Sequence, residues 1–304
     1  MTKSKSLPQH AVRLPTYAEL ERYLRAFADG HLNLLMIFGS PGVGKTRLIR
    51  QVLGSQVCWI GGQATPFGIF LEAYEHRDEP LVLDDVDGLY TDRNGIRLLK
   101  ALCQTERTKT LCWLTGFAES RDVPRRFTTS SRVVMVGNQW QTLNADVAAL
   151  EDRGHVLLFE PTADEVHRQA AQWFWDQEIF DMVADHLHLI EQHSLRSYVH
   201  AWELKQAGLD WRRGVLSRCL SGVALEVFKL KANPAFTTEA ERVQAFVRSG
   251  AGCRATYFNH AKKLQPAKRT PQIRLARTTP PAETVLDMTY LDGLRQRFGE
   301  LGNG

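Results

Sequence analysis

Five consecutive apolar residues, Leu34-Leu35-Met36-Ile37-Phe38, run into a glycine-rich turn and then into the helically spaced stretch Arg47-Leu48-Ile49-Arg50-Gln51-Val52-Leu53. A continuous apolar run followed by an i, i+3, i+4 pattern predicts a buried strand, a loop and a helix. Two later runs share the strand character and end in polar groups. Pro80-Leu81-Val82-Leu83-Asp84-Asp85-Val86-Asp87 ends in acids, and Ser131-Arg132-Val133-Val134-Met135-Val136-Gly137-Asn138 ends in an amide. An amphipathic helix over residues 16–27 is expected before the first strand. The runs 110–115 and 123–129 predict a hairpin just before the amide-ended strand. After Pro161 the period becomes helical, opening on the capping-box pattern Thr162-Ala163-Asp164-Glu165 and continuing through Trp173 and Phe174. The pattern therefore predicts an α/β sheet domain followed by helices.

The turn between the first strand and helix reads Gly39-Ser40-Pro41-Gly42-Val43-Gly44-Lys45-Thr46 and matches the phosphate-binding P-loop in the strand, loop, helix context the motif requires. Its glycines let backbone N–H groups turn inward around a phosphate. Lys45 supplies charge to the β and γ oxygens, and the Thr46 hydroxyl is placed for Mg²⁺. A nucleoside triphosphate is the expected ligand; a plain glycine-rich turn is the structural alternative. The acid-ended run fits a Walker B strand, with Asp84 holding the Mg²⁺ water shell and Asp85 orienting or deprotonating the attacking water.

The order of these parts resembles the AAA+ ATPases over roughly residues 15–215. The resemblance implies ATP as the nucleotide, with Mg²⁺, on a parallel sheet flanked by helices on both faces and followed by an α-helical lid. It makes Asn138 the sensor 1 residue that helps hold the lytic water. Arg153, in Leu150-Glu151-Asp152-Arg153-Gly154, becomes an arginine finger reaching a neighbouring subunit's site, which implies a ring or filament. Arg196, in Ser194-Leu195-Arg196-Ser197, becomes the sensor 2 residue at the γ-phosphate. Related ATPases usually carry Glu where this chain has Asp85, one methylene shorter. An alternative parse makes Thr115 the sensor and Arg132 the finger. The pre-sensor hairpin is similar to those of DNA-translocating members. By position, the loop Val12-Arg13-Leu14-Pro15 lies where the family holds adenine.

Residues 236–264 predict two helices around a tight turn, Ser249-Gly250-Ala251-Gly252, in a pattern that resembles a helix-turn-helix. Ala255, Phe258, Ala261 and Leu264 are expected to anchor the second helix, leaving Arg254, Thr256, Tyr257, Asn259, His260, Lys262 and Lys263 for phosphates or base edges. A helical hairpin that completes the lid has the same spacing. The formal net charge of the 304-residue chain is only +4, yet from Arg242 to Ala282 there is no acid and there are nine cations, Lys268 and Arg269 among them. Such a block suits a polyanion, through counterion release, and equally a solvated tail. The prolines from Pro266 to Pro281 predict an extended basic arm, followed by a short helix near 283–298 and fraying at 299–304. The expected division is 1–160 nucleotide domain, 161–215 lid, 216–265 helix-turn-helix-like domain and 266–304 arm and tail.

With 43% hydrophobic residues the chain is expected to build two or three cores. No apolar run approaches a membrane span or a signal segment, so a cytoplasmic location is expected and no membrane partner. The five cysteines, Cys58, Cys103, Cys112, Cys219 and Cys253, lie far apart and suggest reduced, mostly core residues. Seven histidines, His76 among them, show no ligand spacing and predict no metal beyond Thr46 and Asp84. The reading that follows is an oligomeric ATPase acting on DNA, as a helicase, helicase loader or mobile-element ATPase, in DNA replication for example. The alternatives are a nucleotide-gated regulator with slow hydrolysis and a remodeller that grips a protein partner.

Overall fold

The computed structural model describes residues 8–62, 64–86, 89, 92–114, 123–139, 150–190, 193–265 and 273–280. It divides into two units, 1–162 and 163–304.

The first unit is built on β1 (Val12–Leu14), α1 (Tyr17–Ala28), β2 (Leu34–Phe38), α2 (Lys45–Leu53), β3 (Cys58–Gly61), α3 (Pro66–Glu75), β4 (Leu81–Asp84), α4 (Arg93–Leu102), β5 (Lys109–Cys112), β6 (Arg126–Thr129), β7 (Val133–Gly137) and β8 (His155–Phe159). Six strands form one parallel sheet in the order β1-β8-β2-β7-β4-β3. All five residues of β2 and of β7 are buried, as expected of strands covered on both faces. The register Leu34↔Val133 through Phe38↔Gly137 brings the ends of β2 and β7 level, and Leu81↔Val133 does the same for β4 and β7. The amide-ended strand therefore lies between the P-loop strand and the acid-ended strand, and all three deliver their chemistry to one edge of the sheet. This six-stranded parallel sheet, with its surrounding helices and the helical part that follows, is the expected P-loop α/β fold.

Two local expectations are corrected. Val12–Leu14 is not a loop but a sheet-edge strand, whose partner β8 satisfies its backbone along Val12↔Leu157 to Leu14↔Phe159. Arg132, the finger of the alternative parse, precedes β7 at the far edge of the sheet, where its guanidinium donates to the Phe27 and Ala28 carbonyls behind α1. The expected hairpin is present as the antiparallel pair β5–β6, register Lys109↔Thr129 to Cys112↔Arg126. At its base Lys109 is buried, and its ammonium donates to Ser131 O at 2.7 Å and Asn33 Oδ1 at 3.1 Å.

The second unit contains α5 (Ala163–Trp173), α6 (Gln177–His186), α7 (Arg196–Gln206), α8 (Trp211–Cys219), α9 (Gly222–Ala232), α10 (Glu239–Arg248) and α11 (Arg254–Lys263). One apolar cluster joins α5 to α8 and includes Phe174, Trp175, Phe180, Tyr198, Trp211, Val215 and Cys219. Helix α8 crosses position 216, because Val215 and Cys219 fill the same core. A second, smaller cluster joins Val227 of α9, Val243 and Phe246 of α10, and Tyr257 of α11. Thr238 and Glu241 cap α10 reciprocally.

The stretch 273–280, expected to run free as part of a basic arm, returns to this unit. Ala276 N donates to Ala171 O at 3.1 Å, Leu275 N to Gln177 Oε1 at 3.1 Å, and the Gln177 amide to Ile273 O at 3.1 Å. Leu275 packs on the α5–α8 core, whose burial outweighs the solvation of the adjacent cations. The tail expectations at 283–298 and 299–304 fall outside the described residues.

Candidate nucleotide site

The loop Gly39–Gly44 leaves β2 and enters α2 through Gly44, whose φ of 80° is left-handed and suits glycine. Helix α2 begins without a side-chain cap, the arrangement in which first-turn N–H groups and the positive end of the helix dipole serve an anion. Gly39 is required by crowding, since a Cβ there would meet the Phe159 carbonyl oxygen at 2.2 Å. Sequence reasoning missed the brace beneath the loop: Tyr17, buried at the start of α1, donates from its hydroxyl to Val43 O at 2.7 Å and packs edge-on against Phe159 at 5.0 Å. An aromatic residue just after the cap Thr16 was the available signal.

Lys45 is buried, with its ammonium donating to Gly39 O, to Ser40 O at 3.0 Å and to Asn138 Oδ1 at 3.3 Å. Thr46 Oγ1 lies 3.1 and 3.3 Å from the two oxygens of Asp84. Burial raises the Asp84 carboxyl above its ordinary range and the neighbouring Asp85 adds to this, while the Thr46 hydrogen bond, Arg50 and Lys45 oppose it. A hydroxyl beside a carboxylate is a hard oxygen pair, and it fits Mg²⁺.

Asp85 is exposed and has φ of 51°; among the described residues no other non-glycine has positive φ. Asp tolerates this left-handed geometry better than most residues. The turn is pinned by Asp85 N donating to Val136 O at 3.2 Å. It brings the Asp85 carboxylate within 3.2 Å of Asn138 Nδ2. Lys45, Asn138 and Asp85 are thus connected through their side chains, and Thr46 meets Asp84.

Among the described residues, Arg153 takes no part in these contacts. Arg153 closes a 3₁₀ turn over residues 150–153, and its guanidinium donates to the Lys100 carbonyl near the end of α4. Arg196 is exposed as the first residue of α7 in the second unit, with its N–H on Ser194 Oγ at 3.2 Å. Thr115 lies outside the described residues. The Val12–Leu14 strand, with Glu19, Arg22 and Tyr23, lines a groove of about 450 Å³.

In the three-helix module the expected DNA-facing set is corrected at Tyr257. Its side chain is fully buried, packs edge-on against Phe246 at 5.5 Å and donates to Glu239 Oε1 at 3.1 Å. Burial and the facing Glu239 carboxylate push its phenol up to about 12. The anchor is therefore Tyr257 and not Phe258, which is 42% exposed under the Arg254 guanidinium at 5.5 Å. Arg254, Asn259, Lys262 and Lys263 are exposed. Thr256 is half-buried, its hydroxyl 3.3 Å from Cys253 Sγ. Lys268 and Arg269 lie outside the described residues. Among the described residues no helix is long and apolar enough to cross a membrane.

No family model matches the chain. An uncharacterized 36.7 kDa protein from the nrdC–mobD intergenic region of Enterobacteria phage T4 is 27% identical over 140 residues, which is 42% of this chain and 41% of that protein. The match thus spans about two-fifths of the curated relative's length. Among solved structures, the Thermotoga maritima RuvB Holliday junction branch migration motor aligns with a TM-score of 0.41 at 12% identity, over 90% of this chain and 93% of that one. NtrX from Brucella abortus in complex with ATP gives 0.42 at 16% over 84% and 69%, and a DNA replication initiation factor gives 0.39 at 14% over 93% and 92%. At such scores the likeness is general, and the fold assignment rests on this chain's own sheet order and P-loop.

Proposed function

We propose that this protein binds ATP with Mg²⁺, hydrolyses it as an oligomer and couples the cycle to DNA, as a helicase, helicase loader or mobile-element ATPase. The observation that carries the reading is the connected set Lys45–Asn138–Asp85 beside the pair Thr46–Asp84. Thr46 and Asp84 would hold Mg²⁺, which would supply charge neutralisation at the phosphates. Lys45 moves from the loop carbonyls to the phosphate oxygens. Asn138 and Asp85 hold a water in line with the γ-phosphorus. As its oxygen bonds to phosphorus, the bond to the β-phosphate oxygen breaks, ADP leaves and Asp85 takes the water's proton. Arg153 would reach a neighbouring subunit only after releasing the Lys100 carbonyl, and Arg196 would report the γ-phosphate from the lid. Exposed Arg254, Asn259, Lys262 and Lys263 support DNA contact along α11 in a helix-turn-helix arrangement, with Thr256 at its margin and Lys268 and Arg269 extending the charge.

The test is steady-state ATP hydrolysis with and without single- and double-stranded DNA, with Lys45→Ala as the blank. DNA stimulation supports the reading; a rate indifferent to DNA with a fully active Arg153→Ala sinks it. The short, left-handed Asp85 favours a second reading, a nucleotide-gated switch whose output is conformation. That reading gains if Asp85→Glu sharply raises turnover at unchanged nucleotide affinity.

A further inference from the structure

At the sheet edge opposite the P-loop, three side chains of different chemistry converge. Cys58 begins β3, the last strand of the sheet, and is buried. Glu72, on α3, and His76, which caps it, share one helix face at i, i+4 spacing. The sulfur, a Glu72 oxygen and a ring nitrogen of His76 all lie within 4.8 Å of one another. The separation of Cys58 Sγ from Glu72 Oε2 is 3.6 Å, and that of His76 Nε2 from the same oxygen is 3.8 Å.

These separations decide what the cluster suits. Tetrahedral Zn²⁺ with bonds of about 2.3 Å to sulfur and about 2.1 Å to nitrogen and oxygen has ligand-to-ligand edges of about 3.4–3.6 Å. The sulfur–oxygen edge already has that length, the nitrogen–oxygen edge is a few tenths of an ångström longer, and the sulfur–nitrogen edge, within 4.8 Å, would shorten as an ion binds. The second ring nitrogen completes the case: His76 Nδ1 lies 3.0 Å from Glu79 Oε2. A carboxylate accepting from Nδ1–H fixes the tautomer that turns the Nε2 lone pair toward Glu72 and Cys58, the usual outer support of a metal-binding imidazole.

We propose that Cys58, Glu72 and His76 form a Zn²⁺ site with Glu79 as the orienting carboxylate and water as the fourth ligand. Thiolate, imidazole and carboxylate together select a borderline-soft divalent cation over Mg²⁺ or Ca²⁺. The Cys58 proton leaves to solvent when sulfur binds, with no redox change. The site joins the start of β3 to the end of α3. Around that helix end, His76 O accepts from Ser131 Oγ at 3.2 Å and Arg77 O from Thr129 Oγ1 at 2.7 Å. An ion here therefore also secures the β5–β6 hairpin and the entry to β7. Sequence spacing hid the site, because Cys58 and His76 meet only across a strand and a helix.

The test uses the full chain, stripped by a chelator, without nucleotide, and titrated with Co²⁺ followed by Zn²⁺. Expected are one equivalent of Co²⁺ with a thiolate-to-cobalt absorption band and visible tetrahedral bands, all displaced by one equivalent of Zn²⁺. Cys58→Ser removes the thiolate band, while Cys112→Ser, Cys253→Ser and Lys45→Ala keep it. Glu79→Gln weakens affinity by about 10–100-fold without removing the band. The surface changes His76→Ala and Glu72→Gln, which leave the fold intact by circular dichroism, weaken binding at least as much. No thiolate band, a band that survives Cys58→Ser, or unchanged affinity in His76→Ala each overturns the site, whatever the ATPase assays give.

Discussion

Asn138 donates from Nδ2 to Asp85 Oδ1 at 3.2 Å, while its Oδ1 faces the Lys45 ammonium at 3.3 Å. A donor demand on one side and an acceptor demand on the other fix the amide in a single orientation. Asn138→Ala is expected to lower ATP turnover by about 100-fold while leaving nucleotide affinity within a few-fold. Single-turnover hydrolysis beside equilibrium nucleotide binding separates the two; unchanged turnover removes Asn138 from the site.

Asp85 combines an unfavourable backbone with the side chain proposed to take the water's proton, so stability and activity should move in opposite directions. Asp85→Gly relieves the left-handed strain and is expected to raise unfolding free energy by about 1 kcal/mol. Turnover should fall by about 100-fold or more as the proton acceptor disappears. Denaturant titration and an ATPase assay on one preparation are sufficient; lower stability would show that the turn is unstrained.

Adjacent aromatics on α11 should behave oppositely. Tyr257→Ala empties the small core and is expected to cost about 3–5 kcal/mol, enough to unfold the three-helix module. Phe258→Ala should change stability by less than about 0.5 kcal/mol. Lys262→Ala and Lys263→Ala should each reduce the salt dependence of DNA affinity, on logarithmic axes, by about 1. Thermal melts and binding titrations across salt concentrations check all four; a destabilised Phe258→Ala would reverse the assignment of the helix face.

His167 of α5 is buried between the Phe180 ring, 3.9 Å away centroid to centroid, and the Tyr198 hydroxyl at 2.7 Å. Burial lowers its pKa from 6.5 to about 4. The unfolded chain therefore takes up a proton before the folded one does. Its contribution is whole above pH 6.5 and is lost as pH falls from there toward 4, by about 3 kcal/mol at most. His167→Leu, which loses the bond to Tyr198, should be about 1 kcal/mol less stable at pH 7.5 yet flatter between pH 6.5 and 4. Urea unfolding across that range decides; parallel pH profiles for the two proteins would mean that His167 is not the titrating group.

The convergence of Lys45, Asp84 and Asn138 in the candidate site was legible because each sits at the end of a short apolar run that carries its own chemistry. The hairpin and the helix pair 239–263 were legible for the same reason. Tyr17 under Val43 was not, since its partner is set by how α1 crosses the loop. Periodicity could not choose between Tyr257 and Phe258 without α9, whose Val227 completes the core and which the pattern did not reveal. Gln177 and Leu275, 98 positions apart, show why 273–280 read as an arm: its prolines and cations are local, whereas its contacts are distant.

The central position of β7 also governs how the chain can assemble. β2 and β4 are not neighbours, and the strand that separates them pairs with β2 from about a hundred residues further along. During synthesis the glycine loop and the acid pair emerge long before the strand that brings them into alignment. Until it inserts, the apolar β2 and the largely apolar β4 have open edges facing each other, where another chain can pair. Nucleotide added during refolding is thus expected to help only after β7 has docked, and a fragment that stops short of residue 133 should aggregate instead of binding ATP.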